Sequence, residues 1–99
     1  MNEQKEQLIF LLRQAAQRWI ALGHQEIWDS DDYTDELGNF CNQTADNLAI
    51  NDISDGEKKK LYFIFAPTCA WDDSVGDVDL GSKIFACIEA QYRDLALTK

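Results

Sequence analysis

The sequence predicts an all-α protein, an irregular bundle of about four helices. Apolar residues recur at helical steps near both ends of the 99-residue chain, which is the mark of a helix with one buried face. Ser54 and Glu57 have the Ser-x-x-Glu spacing of a helix-initiating capping box. The most strand-like run, residues 61–66 (LYFIFA), has no good partner to pair with. The alternative is an α+β protein in which residues 61–66 form a buried strand.

The first helix is expected over Glu3 to Leu22, with Leu8, Leu12, Ala15, Trp19 and Leu22 on one face. Asn2 is its candidate cap, and Gly23 fits the residue that closes a helix. In HQEIWDSDDYTD, which follows, Ile27, Trp28 and Tyr33 are expected to fold back over the core. A second helix is expected from about Asp35 to Ala49, carried by Leu37, Phe40, Cys41, Thr44, Ala45 and Leu48. Asp32 or Thr34 is its candidate cap. Gly38 speaks against this helix, because a glycine inside a helix costs about 1 kcal/mol relative to alanine. A third helix should follow the capping box and end before Pro67. Residues 67–79 (PTCAWDDSVGDVD) read as a loop. A last helix is expected from Asp79 or Leu80 to about Ala96, striped by Leu80, Ile84, Ile88, Tyr92 and Leu95. The length suits one domain spanning residues 1–99, and 45% hydrophobic residues argue against global disorder.

The formal net charge is −9, from 18 acids and 9 bases. Residues 29–57 carry nine acids and no Lys or Arg, and Asp72, Asp73, Asp77 and Asp79 form a second acidic group. Such a field repels nucleic acid and anionic lipid and attracts basic partners. The expected partner is therefore a basic protein, with no direct nucleic-acid binding and no membrane insertion. The start, MNEQKEQ, lacks the basic region and cleavage site of a secretory signal, and no apolar run is long enough to cross a bilayer. A cytoplasmic protein with reduced thiols is expected, and Cys41, Cys69 and Cys87 read as small hydrophobes.

Motifs that carry chemistry are missing. The lone histidine, His24, reads as a surface or helix-end group. The cysteines have neither C-x-x-C spacing nor a zinc pattern. The aspartates fail the calcium-loop spacing in each of three alignments tried: Asp77 and Asp79 as ligand positions, Gly76 as the sixth residue, and Gly56 as the sixth residue. The run Lys58–Lys60 is too short for a nucleic-acid footprint, and at least two of Tyr62, Phe63 and Phe65 are expected in the core. No enzyme activity, cofactor or metal is expected.

Acids mixed with large aromatics outside the helical stripes are more informative. Trp28, Asp29, Asp31, Asp32, Tyr33, Asp35 and Glu36 form one group; Trp71, Asp72, Asp73, Asp77 and Asp79 form the other. Tryptophan and tyrosine are favoured interface anchors, and surrounding acids steer a basic partner. Alternatively, the tryptophans simply pin loops to the core. In size, helical pattern and density of acids the chain resembles bacterial immunity proteins that neutralise basic nuclease toxins, and small acidic inhibitors that mimic DNA. The resemblance is one of type and carries no site residue over. It implies a stoichiometric protein-binding or inhibitory module; in this chain Trp28, Tyr33 and Trp71 would be its anchors, and the acids of residues 29–36 and 72–79 would converge on one face. Two further expectations compete with it. A homo-oligomeric structural or regulatory protein would expose an apolar stripe kept clear of acids. A small enzyme would hold His24 or a cysteine beside a carboxylate in a pocket.

Overall fold

The computed structural model describes residues 3–27, 32–66 and 70–97. Among the described residues are four long helices and one single-turn helix: α1 (Glu3–Ala21), α2 (Thr34–Ile50), α3 (Asp55–Phe65), α4 (Ala70–Ser74) and α5 (Val78–Leu97). Residues 61–65 belong to α3, so the strand alternative does not hold. An isolated hydrophobic strand would leave its backbone groups unpaired, whereas a helix satisfies them within itself.

Each helix begins and ends where its local chemistry dictates. Gly23 closes α1 with φ +79°, and its N–H donates to the Ile20 carbonyl at 3.0 Å. This is the left-handed residue that only glycine adopts cheaply. α2 starts one residue before its predicted start, with Tyr33 as its cap. The Glu36 carboxylate accepts the Tyr33 backbone N–H at 2.7 Å. Neither Asp32 nor Thr34 is the cap. The Thr34 hydroxyl instead donates to the Gly23 carbonyl and accepts from Gln25 N–H, tying the start of α2 to the end of α1. The predicted capping box of α3 is present: Glu57 N–H donates to Ser54 Oγ at 3.2 Å, and Ser54 N–H donates to Glu57 Oε1 at 3.1 Å. α5 begins at Val78, slightly earlier than expected, because the Asp77 carboxylate accepts Leu80 N–H at 3.2 Å and so caps the helix.

α1 and α2 run antiparallel. Gly38 lies against Ala16 and Ile20, Arg13 donates to the Asn42 carbonyl at 3.1 Å, and Lys5 reaches the Asn51 carbonyl. The glycine that counted against α2 sits at this contact. A Cβ there would lie 2.7 Å from Ile20 Cγ1 and 3.1 Å from the Ala16 carbonyl oxygen. The penalty in helix propensity is thus exchanged for close approach of two backbones. α3 turns back along α2, with Asn47 donating to Glu57 at 3.1 Å and Lys60 lying 4.5 Å from the Phe40 ring centre. Lys58 faces Asp52 and Asp55, and Lys60 pairs with Asp32 at 2.9 Å. Lys58 and Lys60 therefore brace the surface of α3, while Lys59 is exposed.

Leu8, Leu12, Ala15 and Trp19 of α1, Leu37, Cys41 and Leu48 of α2, Leu61 of α3 and Ile84 and Ile88 of α5 form the core. At one end of it three aromatic rings meet. Trp19 and Trp71 are edge to face at 5.0 Å, and Phe65 touches both at 5.5 and 5.4 Å. The polar tips of both buried indoles are satisfied. Trp19 Nε1 donates to Ser74 Oγ at 2.8 Å, and Trp71 Nε1 donates to the Asp77 carbonyl at 2.8 Å. This cluster explains α4, which lies within the predicted loop. Trp71 must enter the core, and one helical turn, with Ser74 Oγ donating to the Ala70 carbonyl at 2.7 Å, is how it does so. Gly76, at φ +75°, then reverses the chain into α5.

Candidate partner-binding surface

Trp71 is 0% exposed and belongs to the aromatic cluster. It pins the segment before α5 to the core and offers no surface to a partner, so its candidacy as a docking anchor is withdrawn. Trp28, Asp29 and Asp31 lie outside the described residues, as do the side chains of Asp72 and Asp73 on α4. Ile27, beside Trp28, is buried as expected.

The remaining candidates gather at the C-terminal end of α1. Asp35 accepts or shares a hydrogen bond with His24 Nδ1 at 2.8 Å, and the His24 ring stacks on Tyr33 with centres 3.9 Å apart. Asp32 reaches across to Lys60. Asp77 pairs with Arg18, in the last turn of α1, at 2.7 Å. Asp79 and Glu36 are exposed. The two acidic groups approach α1 from different flanks. Arg13, which faces α2, and Arg18, which faces α5, are five residues apart, or roughly 140° around the helix. The described acids therefore bracket one end of α1 and do not merge into a single patch.

Several acids also shape the fold. Asp77 accepts the backbone N–H of Leu80 and the Arg18 guanidinium, and together these hold its carboxyl below the usual range. At Glu57 partial burial pushes the pKa up, but hydrogen bonds from the Ser54 backbone, Asn47 and the Ser54 side chain outweigh it, and the net shift is downward. A carboxylate with a depressed folded-state pKa stabilises the protein above its unfolded value and loses that stabilisation as pH falls through the folded value. Asp77→Asn is accordingly expected to lower the melting temperature at neutral pH. The deficit relative to wild type should shrink as pH falls from about 4, the usual value that holds in the unfolded chain, through the lower folded-state value. Thermal melts across that range check this, and a deficit that does not vary with pH would contradict it.

The other reactive groups are placed as structural ones. Burial pushes the Cys41 thiol far up, and burial also raises the half-buried Cys87. Cys69 lies outside the described residues. His24 does sit beside a carboxylate, but on an exposed turn. Among the described residues no group of three His, Cys, Asp or Glu is placed to hold a metal ion, and no helix is long and apolar enough to cross a membrane.

A cleft of about 450 Å³ between α1 and α5 went unnoticed in the sequence. It is lined by Gln14, Gln17 and Arg18 from α1, by Asp77 just before α5 and by Asp79 and Lys83 from α5, over Leu11 and Leu80. Charges of both signs and an Arg18–Asp77 pair already formed leave it nearly neutral. No sequence signal marks it, because its members are distant in the chain. Comparison with protein-family models, with curated proteins and with solved structures finds no match.

Proposed function

We propose that the chain is a stoichiometric protein-binding module, of an inhibitory or immunity-like kind, that docks its acidic surface on a basic partner. The observation that carries this reading is how the charges are disposed. Arg13, Arg18, Lys58 and Lys60 are each held by an aspartate of the same chain. The net charge of −9 is what such pairs leave over, and among the described acids Glu36 and Asp79 are exposed. Glu36 on one flank of α1 and Asp79 on the other lie outside those ion pairs, beside Asp32, Asp35 and Asp77, which engage Lys60, His24 and Arg18. Such a surface accelerates encounter with a basic protein and selects against acidic ones. The reading assigns no catalytic step and no cofactor.

The test is affinity capture from a lysate of the native organism at low and high salt, with mass spectrometry. The expected result is a basic protein recovered near one-to-one at low salt and depleted at high salt. Neutralising Glu36 and Asp79 together, as Glu36→Gln with Asp79→Asn, should weaken the capture without unfolding the chain, since both are exposed and Gln keeps an oxygen to accept the Tyr33 N–H. Recovery of nothing but copies of the chain itself would overturn the reading.

A further inference from the structure

One face of the molecule departs from the acidic pattern. On α3, Lys59, Tyr62 and Phe63 are spaced i, i+3, i+4, and on α5 Ser82, Phe85, Ala86 and Glu89 are spaced i, i+3, i+4, i+7. Residues at these steps share a helix face. Lys59, Ser82, Ala86 and Glu89 are exposed, Tyr62 and Phe85 are half-buried, and Phe63 is 46% exposed. The rings of Tyr62 and Phe85, 5.1 Å apart, join the two stripes into one surface. The helices are antiparallel: Phe65, at the end of α3, touches Trp71, which lies on Gly81 near the start of α5. Lys59 and Glu89 therefore flank the same end of the seam, one on each helix. Among the described residues neither has an ion-pair partner.

We propose that this α3–α5 face is the interface of a two-fold dimer of the chain. A two-fold axis along the seam lays α3 over α5 of the second copy. It sets Lys59 opposite Glu89 of the second copy, twice, as an isologous contact requires. It also presents Phe63 to Ser82, Phe85, Ala86 and Glu89 of the second copy. Four residues at that spacing form the hole that receives a knob in antiparallel helix packing, and the small Ser82 and Ala86 leave room for the ring. Charge favours the same face. Two chains of net charge −9 repel each other, and these two stripes, with one cation, one anion and an aromatic centre among the described residues, carry none of that excess.

Sedimentation of the full chain over a concentration series, at low and high salt, tests this. The expected result is a dimer that grows with concentration and is promoted by salt, because screening relieves the net repulsion. Phe63→Asp should keep the wild-type helical circular dichroism yet stay monomeric, its melting temperature no longer varying with concentration. Lys59→Glu and Glu89→Lys should each weaken the dimer, and the double variant should restore it. A chain that is monomeric at every concentration and salt would overturn the proposal. So would a dimer insensitive to Phe63→Asp, or a double variant no better than the singles. The basic-partner reading stands or falls separately: salt acts on it in the opposite direction, and Phe63→Asp should leave that capture unchanged.

Discussion

Replacing Trp71 by alanine is expected to destabilise the protein by about 3–5 kcal/mol, the range for removing a large buried aromatic. Total stabilities of such domains are about 5–15 kcal/mol, so the variant should be largely unfolded at mildly elevated temperature. The size of the effect follows from what the indole does. It is fully enclosed, packs edge to face on Trp19 and against Phe65, and rests on Gly81, where a Cβ would lie 2.4 Å from the ring. Its N–H also satisfies the Asp77 carbonyl, next to the carboxylate that caps α5 and pairs with Arg18. Loss of the ring thus opens a cavity and loosens the turn that orients α5. Trp71→Phe separates these contributions: it keeps much of the packing and removes the hydrogen bond. Its cost should be smaller, though above the roughly 1 kcal/mol of a typical hydrogen bond, because the smaller ring also leaves space. Urea titrations at one temperature compare the three proteins. A loss under about 1 kcal/mol for Trp71→Ala would mean that the ring is not the keystone described.

Gly38→Val is the second large effect, expected near the upper end of the 1–3 kcal/mol typical of overpacking. The first methyl-sized atom already meets Ile20 and the Ala16 carbonyl. Ile20 is 43% exposed and can swing aside, but the backbone of α1 cannot, so α1 and α2 must separate. Gly56→Ala provides the contrast. A Cβ there finds only Ser54 Oγ, at 3.9 Å, so the helix-propensity gain of up to about 1 kcal/mol should appear as added stability. Opposite signs for the two glycines in denaturant titrations are expected. Equal effects would mean that α1 and α2 do not approach as closely as described.

The long helices were legible because their signals are local. The stripe of Leu8, Leu12, Ala15 and Trp19, the Ser54–Glu57 box and Gly23 each state their role within a few residues. α4 was not legible, since five residues are too few for periodicity to register and its cause, the pocket for Trp71 made by Trp19, Phe65 and Gly81, is tertiary. Gly38 was misleading for the same reason: propensity counts it against a helix, while the contact that requires it lies on α1. Of the candidate surface, sequence found the acids but not their partners. That Asp77 would turn to Arg18, Asp32 to Lys60 and Asp35 to His24 depends on which helices become neighbours. The adjacency of Trp71 to acids suggested an interface anchor, whereas burial makes it a core residue.

The central functional claim, that outward-facing acids drive docking on a basic protein, is tested most directly by the affinity of the chain for its captured partner as a function of salt. The account predicts that affinity falls steadily as salt rises, chiefly through slower association, as charge-steered binding requires. An affinity that is unchanged or strengthened by salt would contradict it.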